Sequence, residues 1–403
     1  MKLRWLGRLC ALLLCGILTL SVPGLAAESK KQSEPEPNPA YDITWETLED
    51  RVMGGSLSAL ALLENAQSIE SINYDRMEEQ LRSQLNTLAD AQWFMVMLGQ
   101  GDSNSANSMA QAYTSLRETF DAIRDGEMQK DNADTVRQIR DGAQQVVLAT
   151  QTLYINLLSM EQSAQDGSRG LATLDRNLEE LRLRHKLGQV SAQTVREVEQ
   201  TRAGTVSQLA TLDTALQTYK SRLQTLIGET PTGKLSLGPL PAPTREQLDA
   251  LDYEADLTAA KAASWKLYSA KLTLDDAKED WLDARKDSTY SYQREMADHV
   301  WQSAQITYQS TLQEFELTFS TLNRTLSDNR QVLTQKQADL AYQEGQLEIV
   351  QARYRLGRVS KSAVANAEDS VASARSAVET AQRDLFTAWN NYQNAVQYGL
   401  LPA

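Results

Sequence analysis

Apolar residues recur at heptad spacing along two long stretches of the chain, and both stretches share one phase at an offset of 169 residues. The first stretch includes Val195, Val198, Leu209, Leu212, Leu216, Leu223 and Leu226. Their counterparts are Val364, Ala367, Val378, Ala381, Leu385, Tyr392 and Ala395. Heptad spacing of this kind is typical of coiled coils, and its repetition in one phase indicates an internal duplication. The pattern predicts an all-α fold, made of two tandem copies of a long antiparallel coiled-coil hairpin with little or no β-structure.

A repeated glycine motif marks the predicted turn of each hairpin. The sequence RHKLGQVS at 184–191 reappears as RYRLGRVS at 353–360. Gly188 and Gly357 can adopt the left-handed conformation that closes a helix. Ser191 and Ser360 follow at positions suited to cap the next helix. The simplest interpretation is structural, with a C-cap, a turn and an N-cap.

Basic residues are concentrated around the two turns. They are Arg182, Arg184, Lys186, Arg353, Arg355, Arg358 and Lys361. Cations near a helix C-terminus complement the helix dipole, which is one explanation. Docking of a partner at the turns is the other, because the chain as a whole is acidic.

Prolines divide the chain into segments. They cluster at 35–39 and at 231–243, and the two intervening blocks contain none. Proline disrupts helix interiors, so proline-free blocks of this length favour long helices. We predict a leader at 28–44, a first helical repeat at 45–230, a linker at 231–244 and a second repeat at 245–400. Within the repeats the predicted helices are Trp45–Leu98, Ala133–Leu187, Ala192–Ile227, Arg245–Arg285, Met296–Leu356 and Lys361–Tyr398.

Residues 1–27 have the pattern of a secretory signal peptide. A basic start precedes the apolar run Leu9–Leu20, and Gly24–Ala26 gives a small-residue cleavage site. An uncleaved anchor is the less favoured alternative, because the run is short for a membrane span. Cys10 and Cys15 both lie in this segment, so the predicted mature chain has no disulfide or thiolate chemistry.

The charge balance disfavours polyanionic partners. The formal net charge is −13, and removal of the signal, which carries three positive charges, makes the chain more acidic still. Nucleic acid and anionic membrane surfaces are therefore poor partners. Solubility and an acidic lumen that favours cations both remain as explanations of the charge.

Residues that could support catalysis are sparse. His185 and His299 are the only histidines, and no phosphate-binding loop, H-E-x-x-H motif or catalytic Ser/His/Asp order occurs. We predict no enzymatic activity and no cofactor or metal site. His185 falls at a heptad position, which favours a structural role, and His299 is expected in the second apical turn. Aromatic residues near that turn indicate packing or a membrane-interface belt: Trp265, Tyr268, Trp281, Tyr290, Tyr292 and Trp301.

The duplicated motif resembles the TolC-like outer-membrane efflux family. The resemblance extends to the return helix that ends at Leu223–Gly228 and to the last helix, Val371–Tyr392. It implies a homotrimer whose twelve long helices form a tube. It also implies that the turns meet an extracytoplasmic adaptor protein served by an inner-membrane transporter, in efflux or type I secretion. The resemblance, together with the charge, indicates which residues at the tips would meet the adaptor: Arg184, Lys186, Leu187, Gly188, Val190, Ser191, Arg353, Arg355, Leu356, Gly357, Val359 and Ser360.

The chain departs from this family where the membrane strands are expected. The window Lys286–His299 is too short for two strands of the usual length. The window Gly99–Asn132 shows helical spacing over Met109–Ile123 after a polar loop at Gly99–Ser108. We therefore expect a TolC-like helical tube that lacks the β-barrel strands, located in the cell envelope. A coiled-coil scaffold without a lumen and an adaptor-like protein are the alternatives.

Overall fold

The computed structural model describes residues 41–101, 103–287 and 289–402. The predicted signal peptide and most of the predicted leader lie outside them. The helices are α1 (Trp45–Gly55), α2 (Leu57–Glu70), α3 (Tyr74–Met97), α4 (Asn104–Arg124), α5 (Glu127–Lys186), α6 (Ala192–Leu226), α7 (Arg245–Asp249), α8 (Tyr253–Ala263), α9 (Trp265–Asp287), α10 (Ser291–Arg355) and α11 (Lys361–Tyr398). Within these ranges the only β-structure is an isolated bridge between Ile43 and Leu237. The predicted all-α fold is confirmed.

The two longest helices and the two return helices agree with the heptad pattern. Helices α5 and α10 contain 60 and 65 residues, and each starts a few residues earlier than predicted. Helix α11 has the predicted bounds, and α6 ends one residue early. The side chains of Ser191 and Ser360 cap these return helices, which explains why their starts could be placed.

The prediction of one unbroken first helix in each half is wrong. A single extended residue interrupts it, Ser56 with ψ of 116° in the first half and Ser264 with ψ of 115° in the second. Both serines are fully buried. The breaks occur where another segment passes close by: Gly228 lies against Gly55, and Gly399 lies against Ser264. Further breaks precede α3 and α8, at capping residues Asn73 and Asp252.

The apical segments are more helical than predicted. Helix α4 begins at Asn104, so the second half of the expected polar loop at Gly99–Ser108 is helix. The prediction that His299 lies in a turn is also wrong, because α10 begins at Ser291 and includes it. The connection between α9 and α10 spans only residues 288–290, which leaves no room for a longer turn.

The described residues form two compact units. The first comprises Ala61–Gly142 and Lys278–His299, and the second comprises the described parts of Pro35–Leu60, Ala143–Ala277 and Val300–Ala403. In the first unit, α3 and α4 form an antiparallel hairpin. The guanidinium of Arg82 lies 5.7 Å from the ring centre of Phe120, and Leu85, Ala106 and Ile123 are buried.

The second unit contains two apolar clusters, one for each half of the chain. The first joins α1, α5, α6 and the segment after α6: Ile43, Leu48, Val52, Val147, Tyr154, Leu157, Leu216, Leu223, Ile227, Leu235 and Leu237. The second joins α8, α9, α10 and α11: Ala260, Leu267, Phe315, Phe319, Leu322, Leu326, Leu385, Ala388, Tyr392 and Ala395. Trp45 and Phe386 connect the halves, with ring centres 4.8 Å apart in an edge-to-face arrangement.

Candidate functional site

The first predicted turn closes with the hydrogen bonds of a Schellman motif. Gly188 has φ of +73°. Its N–H donates to the carbonyl of His185 at 2.9 Å, and the N–H of Gln189 donates to the carbonyl of Arg184 at 2.9 Å. These bonds satisfy carbonyl groups that a helix end otherwise leaves unpaired. The hydroxyl of Ser191 then accepts from the N–H of Thr194 at 3.1 Å and starts α6.

The second turn repeats this geometry. Gly357 has φ of +68°, and its N–H donates to the carbonyl of Tyr354 at 2.8 Å. The N–H of Arg358 donates to the carbonyl of Arg353 at 2.9 Å. The hydroxyl of Ser360 accepts from the N–H of Ala363 at 3.2 Å and starts α11. The duplicated motif therefore encodes one local structure twice.

The two turns present apolar side chains to solvent. Leu187 is 65% exposed and Leu356 is 69% exposed, at equivalent positions. A Cβ added to Gly188 or Gly357 would meet no atom within 4 Å, so both glycines also face open space. Val190 and Val359 are half-buried beneath them. Each turn is thus a protruding leucine above a valine that packs into the hairpin.

The basic residues of the site are exposed, and they differ in their pairing. Arg184 forms an ion pair with Glu180 on the same helix, and Arg182 pairs with Glu199 at 2.7 Å across the hairpin. A second group has no carboxylate partner within the part of the chain that the structure describes: Lys186, Arg353, Arg355, Arg358 and Lys361. The second turn in particular keeps its positive charge available.

The two turns lie at the same end of the second unit. Asp369 lies twelve residues after Gly357, and its carboxylate accepts from the hydroxyl of Thr173, fifteen residues before Gly188, at 3.0 Å. The carbonyl of Ala372 accepts from Arg169 at 3.1 Å. Helices α5 and α11 therefore pack side by side, in antiparallel directions, up to the last turns before the site.

Polar contacts that the heptad pattern did not predict join the two hairpins. The side-chain amide of Gln162 donates to the carbonyl of Ser376 at 2.7 Å, and both residues are buried. The hydroxyl of Ser376 donates to Asp166 at 2.6 Å. Heptad analysis gives the seam within each hairpin and carries no information on which helices of different hairpins become neighbours.

Other candidate residues have structural environments. The Nδ1 of exposed His185 donates to the carbonyl of Val190 at 3.0 Å, so it bridges its own turn. The predicted aromatic group is divided between the units: Trp265, Tyr268 and Trp301 belong to the second, and Trp281, Tyr290 and Tyr292 belong to the first. Within the described ranges, no three His, Cys, Asp or Glu side chains converge as metal ligands, and no helix has the length and apolarity of a membrane span.

Comparison with known proteins yields a fold and no close relative. No protein-family model matches the chain, and no curated protein matches it. Among solved structures, CusC, described for its transmembrane channel formation, is 14% identical, with 88% of this chain and 95% of CusC covered and a TM-score of 0.51. The outer-membrane channel OprN is 13% identical, with 88% and 90% covered and a TM-score of 0.51.

A membrane protein from Pseudomonas aeruginosa gives the same result, with 11% identity, 94% and 99% of the two chains covered and a TM-score of 0.51. At these identities the likeness concerns the fold alone. The chain has the long-helix fold of these proteins, and the resemblance noted from its duplicated motif is confirmed at that level.

Proposed function

We propose that this chain is the conduit of an export pathway. Three copies would form a helical tube, and substrates would pass through it without any chemical change. Energy would come from an inner-membrane transporter, joined to the tube through an extracytoplasmic adaptor protein. The observation that carries the proposal is the pair of exposed, leucine-tipped turns at one end of a fold shared with outer-membrane channels.

Apolar side chains exposed along α10 support assembly into an oligomer. Ile306, Leu317 and Tyr342 are 68%, 70% and 63% exposed, and Ile349 is 47% exposed. A single helix with such positions along its length buries them when copies of the chain pack side by side. The heptad alanines of α11, Ala381, Ala388 and Ala395, are already buried within one chain, so the burial gained on association would come from α10.

The chemistry of the turns supports docking of an adaptor there. A leucine that protrudes into solvent beside unpaired arginine and lysine side chains offers both apolar contact and charge complementarity. An acidic or hydroxyl-rich helical hairpin would suit this surface. The twofold repetition within one chain would give six tips in a trimer, three of each kind, so a partner could bind at both kinds of turn.

The same proposal assigns the protein to the cell envelope and gives it no enzymatic activity. The predicted signal peptide would direct export, and the channels of similar fold come from the outer membrane. Ser191 and Ser360 cap helices and His185 bonds within its turn, so these local roles need no chemical reaction.

Site-specific photo-crosslinking in the source cells tests the docking proposal. A benzophenone amino acid would replace Leu187 or Leu356, and the matched control would replace Leu57, which is 80% exposed and lies far from both turns in sequence. We expect adducts with an adaptor protein that contains a helical hairpin from the tip positions, and none with it from the control. Adducts that are the same at all three positions, or that contain only copies of this chain, would remove the docking role.

A further inference from the structure

The end of the α3–α4 hairpin carries a dense exposed apolar patch, which we call the hairpin tip. Its five large apolar side chains are more than half exposed: Trp93 (64%), Phe94 (58%), Val96 (64%), Met97 (67%) and Leu98 (57%). Proteins rarely leave such a concentration of apolar side chains in water without a function. We propose that the hairpin tip inserts into the interfacial layer of a lipid bilayer and attaches the protein to a membrane surface without crossing it.

The tip is a folded structure with defined backbone bonds. Gly99 has φ of +71°. Its N–H donates to the carbonyl of Val96 at 3.0 Å, and the N–H of Gln100 donates to the carbonyl of Met95 at 2.9 Å. The apolar side chains therefore stand on the final turns of a capped helix. These bonds leave fewer unpaired helix carbonyls to be placed in lipid, which lowers the main cost of inserting a helix end there.

The apolar side chains cover more than one face of the helix end. Successive residues of a helix point about 100° apart, so positions 93, 94, 96, 97 and 98 span an arc of about 200°. Met95, at the remaining position, is the half-buried one. A protein partner with a fixed surface would cover one face of this helix end and leave the others in water. A fluid apolar layer can adapt to all of them at once.

The charge pattern indicates which membrane surface fits. No charged residue occurs between Asp90 and Asp102, and both flanking residues are acidic. Anionic headgroups would thus gain nothing by contact with the tip, and zwitterionic lipid is the expected surface. This differs from the basic amphipathic helices that bind anionic lipid.

The dimensions agree with interfacial insertion. Residues 93–98 extend about 9 Å along the helix axis, whereas a span needs about 20 apolar residues. Interfacial helices typically enter to a depth of about 5–10 Å. Trp93 lies at the end of the patch nearest the hairpin stem, and tryptophan favours the headgroup level. The uncharged residues 99–101, which follow Leu98, fit the same level when α3 enters obliquely.

Flotation with lipid vesicles tests this inference, which does not depend on the conduit proposal. The assay uses the chain from residue 28 onward, because the apolar run Leu9–Leu20 would itself bind lipid. Phosphatidylcholine vesicles are the zwitterionic probe, and vesicles with added phosphatidylglycerol are the anionic one. We expect flotation with phosphatidylcholine and no gain with phosphatidylglycerol. We also expect no loss between about 0.1 and 0.5 M salt, a range over which the Debye length shortens and charge interactions are screened more strongly.

Two double variants locate the binding surface. Phe94→Glu with Met97→Glu should lower the bound fraction at least tenfold. Leu282→Glu with Met296→Glu is the matched control in the same unit, at positions that are also at least half exposed, and should bind as the unchanged chain does. Trp93→Phe keeps the tip apolar, so this variant should still float but lose the part of the fluorescence that brominated lipid quenches.

The opposing outcomes are equally definite. Failure of the unchanged chain to float with either lipid would overturn the proposal. Equal loss in the tip and control variants would do the same, because binding would not be located at the tip. Retained flotation of the tip variant would likewise overturn the proposal, and a change in its oligomer mass as the only effect would assign the patch to contact between copies of the chain instead.

Discussion

Arg176 and Asp369 form an ion pair between the two hairpins, and each lies twelve residues from the glycine of its own turn. Arg176 precedes Gly188 on α5, and Asp369 follows Gly357 on α11. This equal spacing means that the two turns are level with each other at one end of the second unit. It is the structural relationship on which a shared docking end depends.

A double-mutant cycle should give the Arg176–Asp369 pair a small coupling energy. Both side chains are partly exposed, at 47% and 36%, and water screens such pairs. We expect a coupling of about 0.2–1 kcal/mol from chemical unfolding of the two alanine variants and the double variant. The pair Lys266–Glu314, at 62% and 64% exposure, is the control and should couple less. A coupling of several kcal/mol would show that the hairpins are held by this pair instead of by the apolar clusters.

Alanine at the turn glycines should destabilise the chain through backbone strain alone. Gly188 and Gly357 have positive φ and open space around the Cβ position, so each substitution should cost about 1–2 kcal/mol. Gly170 and Gly345 are the matched controls, since they lie within α5 and α10 and also have open space. Alanine there should stabilise by up to about 1 kcal/mol, because it is the better helix former. Thermal unfolding would reveal the opposite signs, and equal signs would contradict the turn geometry.

Alanine at Gly228 or Gly399 should be more harmful than at the turns. Both glycines have positive φ, and an added Cβ would lie 2.6 Å from the carbonyl oxygen of Gly55 or 2.3 Å from the Cα of Ser264. Strain and overpacking combine, so we expect a loss of about 2–5 kcal/mol. The unfolding free energy of each variant compared with Gly188→Ala measures the difference. A loss no larger than that of Gly188→Ala would mean that the helix breaks are not held by close backbone contact.

The Asp42 carboxylate should titrate below the ordinary range. Its pKa is lowered, first by the hydrogen bond from the backbone N–H of Ser236 at 2.8 Å and then by the bond from the Ser236 hydroxyl at 2.9 Å. Because the folded pKa is lowered, the contribution of this contact is complete above about pH 4 and is lost as the pH falls through the lowered pKa.

Carbon-13 NMR of labelled aspartate measures this titration, with Asp42→Asn to assign the signal. We expect a midpoint below the ordinary aspartate pKa of 3.8, and Ser236→Ala should move it upward. A midpoint at or above the ordinary value in the unchanged chain would contradict the contact between the segment before α1 and the segment after α6.

The sequence predicted those parts of the fold that depend on local signals. The bounds of α11 follow from a capping serine at 360 and a glycine at 399, and the turn geometry follows from Gly188 and Gly357. It also predicted that the turns belong together, because the heptad phase repeats. The exposure of Leu187 and Leu356 agrees with their position in the motif, although the docking role itself stays a proposal.

The parts that could not be predicted depend on contacts between distant segments. Gly54 and Gly55 precede Ser56 and weaken the helix there, but Ser264 has no proline or glycine beside it. Each break coincides with the approach of a glycine more than one hundred residues away. The pairing of Gln162 with Ser376 likewise joins hairpins whose relative register no heptad count defines. The apolar end of α3 was not predicted, because heptad periodicity identifies one apolar stripe and not a helix end whose apolar side chains face several directions.

Electron microscopy of the purified oligomer tests the central claim most directly. End-on views of particles from the chain beginning at residue 28 should show three copies around an open axis, with the six leucine-tipped turns at one end. Single copies, or solid dimers without an axial opening, would contradict a conduit and favour the coiled-coil scaffold.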